Sequence, residues 1–130
     1  MNATTALQEA LVAQLSPIAQ LTGIYNDAPA RAAFPYVVVN CNDESDWSFK
    51  GRIGREVTVH LTVWDQQPSR LLELEAEMER QLRPVFVNSD WRLSSLVLTG
   101  KRRTREPSGP WSCMLAHRAR LIASAGEVTE

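Results

Sequence analysis

The chain has 130 residues, of which 44% are hydrophobic and 22% charged, and a formal net charge of -1. That length gives one domain able to bury roughly two-thirds of its unfolded surface, so its core requires neither a metal nor a disulfide. The balance is that of an ordinary soluble globular protein; it excludes a disordered or membrane-type composition, and bulk charge names no partner.

The opening residues MNATTALQEALVAQL lack a basic start and an unbroken apolar core, so no signal peptide is expected. No apolar run is long enough to span a bilayer. The first helix is predicted over Thr5 to Leu15, with Thr5 as cap, Gln8 three residues on, and Leu7, Leu11 and Leu15 along one face. Ser16-Pro17 ends it. Leu21 to Pro35, carrying Gly23, Pro29 and Pro35, reads as an extended loop with room for a short strand near Ile24-Tyr25. YVVVNC, Tyr36 to Cys41, is unbroken and β-branched, as in a strand covered on both faces or central in a sheet.

A run of acids closed by an aromatic follows: Asp43, Glu44, Asp46 and Trp47, read as a loop. Gly51 and Gly54 with Lys50, Arg52 and Arg55 mark a mobile basic turn. Glu56 to Trp64 alternates, with Val57, Val59, Leu61 and Val63 to one side and Glu56, Thr58, His60, Thr62 and Trp64 to the other. A second helix is predicted from Pro68 to about Arg83, its apolar face Leu71, Leu74, Met78 and Leu82, its solvated face Glu73, Glu77 and Arg80. Trp91 to Leu98 and Trp111 to Ile122 are strands, joined by the basic hairpin loop Thr99 to Pro110. The order α-β-β-α-β-β predicts an α+β two-layer sandwich: a mostly antiparallel sheet of about four strands with two helices on one face. Residues 1–123 form the single domain, and 124–130 a short flexible tail.

Reactive residues do not converge. His60 and His117 each sit within a strand, away from metal-ligand spacing. Cys113 and His117 share a strand face but stand about 13 Å apart at the usual strand rise, too far for proton transfer. KGRIGRE lacks the strand-to-helix setting of a phosphate loop. Cys41 and Cys113 are expected as buried free thiols of a protein kept in a reducing cytoplasm until it joins something larger. Glu73 and Glu77 lack the histidine partners of a bundle metal site, and Arg70, Arg80 and Arg83 offset their charge. No catalytic residue, cofactor or metal is predicted.

Several weak motifs combine in one order. They are AFPYVVV at Ala33 to Val39, DW at Asp46-Trp47, and LTVWD at Leu61 to Asp65 with the helix after it. In this the chain resembles the phage tail-terminator (tail-completion) family of long-tailed phages and gene transfer agents, over about Leu7 to Ala123. The resemblance implies an α/β sandwich subunit and a hexameric ring on the end of the tail tube. Such a ring stops tube growth and docks to a head-side connector or stopper. The implied partners are the protein itself, the tube protein and the connector, with double-stranded DNA passing through the channel without sequence-specific binding, and no membrane. The implied place is the head-proximal end of a virion tail, assembled in the host cytoplasm.

The charged segments then acquire a candidate role. Asp43, Glu44 and Asp46 give a local -3, while Lys101, Arg102, Arg103 and Arg105 give +4. Opposite patches on two sides of a subunit would steer a heterologous ring contact, with Trp47 as apolar anchor and Trp111, Lys50 and Arg52 in support. The alternatives are two solvated loops, loops meeting within one subunit, or a basic tip that meets phosphate in the channel. The alternative functions are a head-side stopper, a tube subunit, or a small cytoplasmic nucleic-acid-binding domain.

Overall fold

A computed structural model describes residues 1–83, 90–107 and 109–124. Its elements are α1 (Ala3–Leu15), β1 (Gly23–Tyr25), β2 (Tyr36–Asp46), β3 (Gly54–Asp65), α2 (Pro68–Gln81), β4 (Trp91–Arg105) and β5 (Trp111–Ala123). The α+β class and both helices are as expected, but the sheet has five strands in the order β1-β2-β3-β5-β4 and is mixed. β1 adds to β2 in parallel, with Gly23 opposite Tyr36, while the remaining pairs are antiparallel. Three residues are too few for an alternation to register in a sequence. Thr22 holds β1 in place: its amide and its hydroxyl each donate to the Pro35 carbonyl at 2.8 Å.

α1 is capped by Asn2, whose side chain accepts from the Thr5 amide at 2.8 Å, rather than by Thr5 itself. The helices pack on one face of the sheet. Leu7, Leu11 and Leu15 of α1 and Leu71, Leu74 and Met78 of α2 meet Val37, Val39, Val57, Val59, Leu61, Val63, Leu115 and Leu121 in one cluster. Each of these side chains is worth roughly 1.5–3 kcal/mol when buried, so this face supplies the driving force for folding. Val38 points to the other face yet is also buried, in keeping with the unbroken apolar run of β2.

Two segments read as loops are strand. β2 continues through Asp46, paired with Arg55 after a bulge between Cys41 and Glu44. β4 continues through Arg105, paired with Trp111 after bulges at Leu93/Ser95 and Leu98/Gly100. Charged runs carry no apolar alternation, so their strand character comes from the ladder of the neighbouring strand rather than from their own pattern. The turn expected to be mobile is a tight hairpin. Phe49 and Arg52 exchange backbone hydrogen bonds at 3.1 and 2.8 Å around Lys50 and Gly51, whose φ values of 47° and 77° are those of a primed two-residue turn. The predicted tail lies, from residue 125 on, outside the described residues; Ser124 before it donates its amide to the Asp90 carbonyl at 2.8 Å.

Candidate functional site

The acidic and basic segments occupy opposite edges of the sheet, with β3 and β5 between them. β1 covers β2 only as far as Val38, which leaves the acidic end of β2 as an open edge. β4, with exposed side chains from Leu98 to Arg105, is the other edge. Contact between the two segments within one subunit is therefore ruled out.

Each segment is partly neutralised at home. Arg55, opposite Asp46, reaches Glu44 at 3.4 Å and Asp46 at 3.1 Å. The Thr4 hydroxyl also donates to Glu44, tying the start of α1 to this edge. Asp43 is exposed. On β4 the side chains alternate: Lys101 and Arg103 turn to the helix face, and Arg102 to the other. Arg103 forks onto Glu75 of α2 at 2.7 and 2.8 Å, and Lys101 pairs with Glu79 and lies 3.6 Å from Glu75. Arg102 and Arg105 make no carboxylate contact among the described residues; the Arg105 guanidinium lies 5.7 Å from the Trp111 ring centroid. Of the +4 segment, two charges thus serve the subunit itself, Arg105 lies against Trp111, and Arg102 faces away from the helices.

Trp47 is half-buried. Its ring meets Phe49 edge-on at 5.3 Å and lies 5.0 Å beneath the Arg120 guanidinium, which in turn bonds Glu56 at 2.9 Å. Gly54 is needed beside it, because a Cβ there would stand 2.5 Å from the Trp47 carbonyl oxygen. Trp64 stacks on Tyr36 at 6.3 Å on the face away from the helices. Lys50 and Arg52 flank the turn with Phe49, which is 43% exposed.

Sequence reasoning passed over two buried carboxylates. Glu75 is 1% exposed and Asp65 fully buried. Both were legible in the periodicity: Asp65 continues the inward series Val57, Val59, Leu61, Val63, and Glu75 falls four after Leu71 and three before Met78, on the apolar stripe. Burial pushes the Glu75 carboxyl up, but hydrogen bonds from Arg103 and Cys113 outweigh it and leave the group below the usual glutamate range. Asp65 behaves alike: burial raises it, and the bonds from Arg70 and from the Gln67 and Gln66 amides bring it down.

Both thiols sit where the thiolate is disfavoured. Burial pushes the Cys41 thiol up to about 12, and burial with the Glu75 carboxylate does the same to Cys113. Burial lowers His117, whose Nδ1 has no partner among the described residues. His60 Nδ1 lies 3.0 Å from Asn42 Oδ1. Among the described residues no cluster of His, Cys, Asp or Glu could hold a metal, and no helix is long and apolar enough to cross a membrane.

The fold is a two-layer α+β domain whose distinctive surfaces are two oppositely charged sheet edges and a hairpin tip. The chain matches the family described as Tail completion protein gp17 over residues 6–122, and it is a member of that family of phage tail structural proteins. Among solved structures, a chain of the "Virion of native gene transfer agent (GTA) particle" shares the fold, with a TM-score of 0.76 and 22% identity over 94% of this chain and 99% of that one. No curated protein sequence gives a significant match.

Proposed function

We propose that the protein caps the tail tube as a homo-oligomeric, hexameric ring, ending tail polymerisation and forming the surface to which the head-side connector or stopper docks. The observation that carries this reading is the placement of opposite charge on opposite edges of one sheet in a member of a tail-completion family. Such an arrangement suits a heterologous contact repeated by rotation. In this reading the outward charges Asp43, Arg102 and Arg105 guide the approach, while Lys101 and Arg103 fix β4 to α2 and act indirectly. Trp111, beneath Arg105, belongs to the same edge. The mechanism is geometric: the ring binds the last tube layer and covers the surface on which another would grow. Double-stranded DNA passes through its channel, which holds it by no base-specific contact. The subunit is made in the host cytoplasm and ends at the head-proximal end of the tail.

The test is native mass spectrometry and negative-stain imaging of the protein alone and with polymerising tube protein. Six-fold rings, or tubes shortened and capped, are expected. Long polymers of the protein alone would point instead to a tube subunit, and a monomer that ignores the tube but binds nucleic acid would point to a nucleic-acid-binding domain. Within the ring, Arg102→Glu with Arg105→Glu should weaken assembly in moderate salt while leaving the fold intact. Rings unchanged by that pair would remove the charged edge from the contact.

A further inference from the structure

We infer that Phe49, at the β2–β3 hairpin tip, is a knob that enters a cleft between the α1–β1 connection and α2 of a second copy of this chain. This inference rests on the ring reading above and adds a second contact to that of the charged edges.

The knob is built to project. Trp47 donates its amide to the Gly54 carbonyl at 2.9 Å, and Gly54 donates its own to the Ser48 hydroxyl at 3.0 Å. With the paired turn above them, these bonds make a stiff stem. Phe49 is 43% exposed at its end, and Lys50 and Arg52 beside it have no carboxylate partner among the described residues. An exposed aromatic ring on a stiff support loses little entropy on docking, and aromatic anchors that fill a partner's pocket carry much of an interface's energy.

The cleft has a volume of about 360 Å³ and is lined by Pro17, Ile18, Ala19, Glu73, Glu77 and Arg80, with Gln20 at its edge. The cleft is more polar than apolar; its apolar part is the exposed Pro17 and Ala19 just after α1, held by the hydrogen bond from the Ile18 amide to the Leu15 carbonyl at 3.1 Å. Glu77 pairs with Arg80, while Glu73 is exposed and without an ion pair among the described residues. The rim therefore carries one net negative charge and offers Glu73 to an incoming cation. The aromatic ring against Pro17 and Ala19, and Lys50 or Arg52 against Glu73, pair apolar with apolar and cation with anion.

The two parts cannot meet within one subunit. The hairpin tip lies beyond Gly54, and the cleft precedes Thr22, which sits by Pro35 and Tyr36 opposite Trp64 at the far end of β3. The length of β3 between those ends is about 30 Å at the usual strand rise. A patch that fits a pocket elsewhere on an identical molecule gives a heterologous contact, which closes into a ring or runs on as a filament.

The experiment uses the full chain, with and without polymerising tube. Phe49→Cys combined with Ala19→Cys, oxidised after assembly, should give a ladder of covalent oligomers up to the ring size, which neither single variant gives. Phe49→Ala should lower the association constant about tenfold or more. Lys50→Glu with Arg52→Glu should weaken assembly, and Glu73→Lys added to that pair should restore it. Rings that form with Phe49→Ala as readily as with the native chain, or native-like rings without the cysteine ladder, would overturn the knob while leaving the ring reading in place. A native chain that makes no ring, alone or on tube, would overturn both.

Discussion

Asp65→Ala tests the buried carboxylate at the β3–α2 junction. The side chain is fully buried and accepts four hydrogen bonds: from the Gln66 and Gln67 amides at 2.7 and 3.3 Å, and from Arg70 Nε and Nη2, both at 2.6 Å. It thereby fixes the turn that leads into α2, while Gln67 at the N-cap position makes no side-chain cap bond. A hydrogen bond to a charged group contributes about 1.5–3 kcal/mol, and two backbone amides lose theirs. Arg70 returns to water, so its bonds add little. The expected loss is about 3 kcal/mol. With an unfolding entropy of roughly 2.1 cal/mol/K per residue, a chain of this length loses roughly 11 °C of Tm. Urea and thermal unfolding by circular dichroism read both values. The sign with pH follows from the lowered carboxyl: its contribution is complete above the unfolded aspartate pKa and disappears as pH falls through the lower folded value. A loss below about 0.5 kcal/mol, or an Asp65→Ala difference from the native chain that persists undiminished in strong acid, would refute this reading of the carboxylate.

Glu75→Ala should destabilise the fold by about 2–4 kcal/mol, because the helix–edge clamp loses its buried acceptor; Glu75→Gln, which keeps one acceptor, should lose less in the same urea titration. Gly54→Ala should lower Tm and raise Trp47 fluorescence exposure, since its Cβ would meet a backbone carbonyl at 2.5 Å that cannot yield as a flexible side chain does. Cys113, fully buried, should react with a thiol reagent at pH 8 only at the rate of unfolding, whereas Cys41, expected buried but only half-buried, should react faster. Labelling of Cys113 in the folded protein at the rate of a free peptide cysteine would contradict its burial.

The apolar face of this fold was legible because its residues repeat at the helix and strand periods: the valines of β3 and the leucines of α1 and α2 are where the pattern places them. β1 was barely legible, because a parallel pairing held by Thr22 leaves no periodic trace. The far half of β4 was hidden for a different reason. Lys101, Arg102, Arg103 and Arg105 read as a solvated loop, but their alternation is electrostatic, with two toward the glutamates of α2 and Arg102 away from them. Charge pairing across elements has no signature in a single sequence until one of the partners, here Glu75, is seen to interrupt an apolar stripe.

The long edge strand β4 also bears on which assemblies the protein avoids. An edge strand of fifteen residues is a template for pairing with its own copy. Two such edges paired two-fold about their basic halves, Lys101 to Arg105, would bring cation against cation, and like charges placed opposite each other on paired strands are destabilising. A symmetric dimer through that half of the edge is thereby disfavoured.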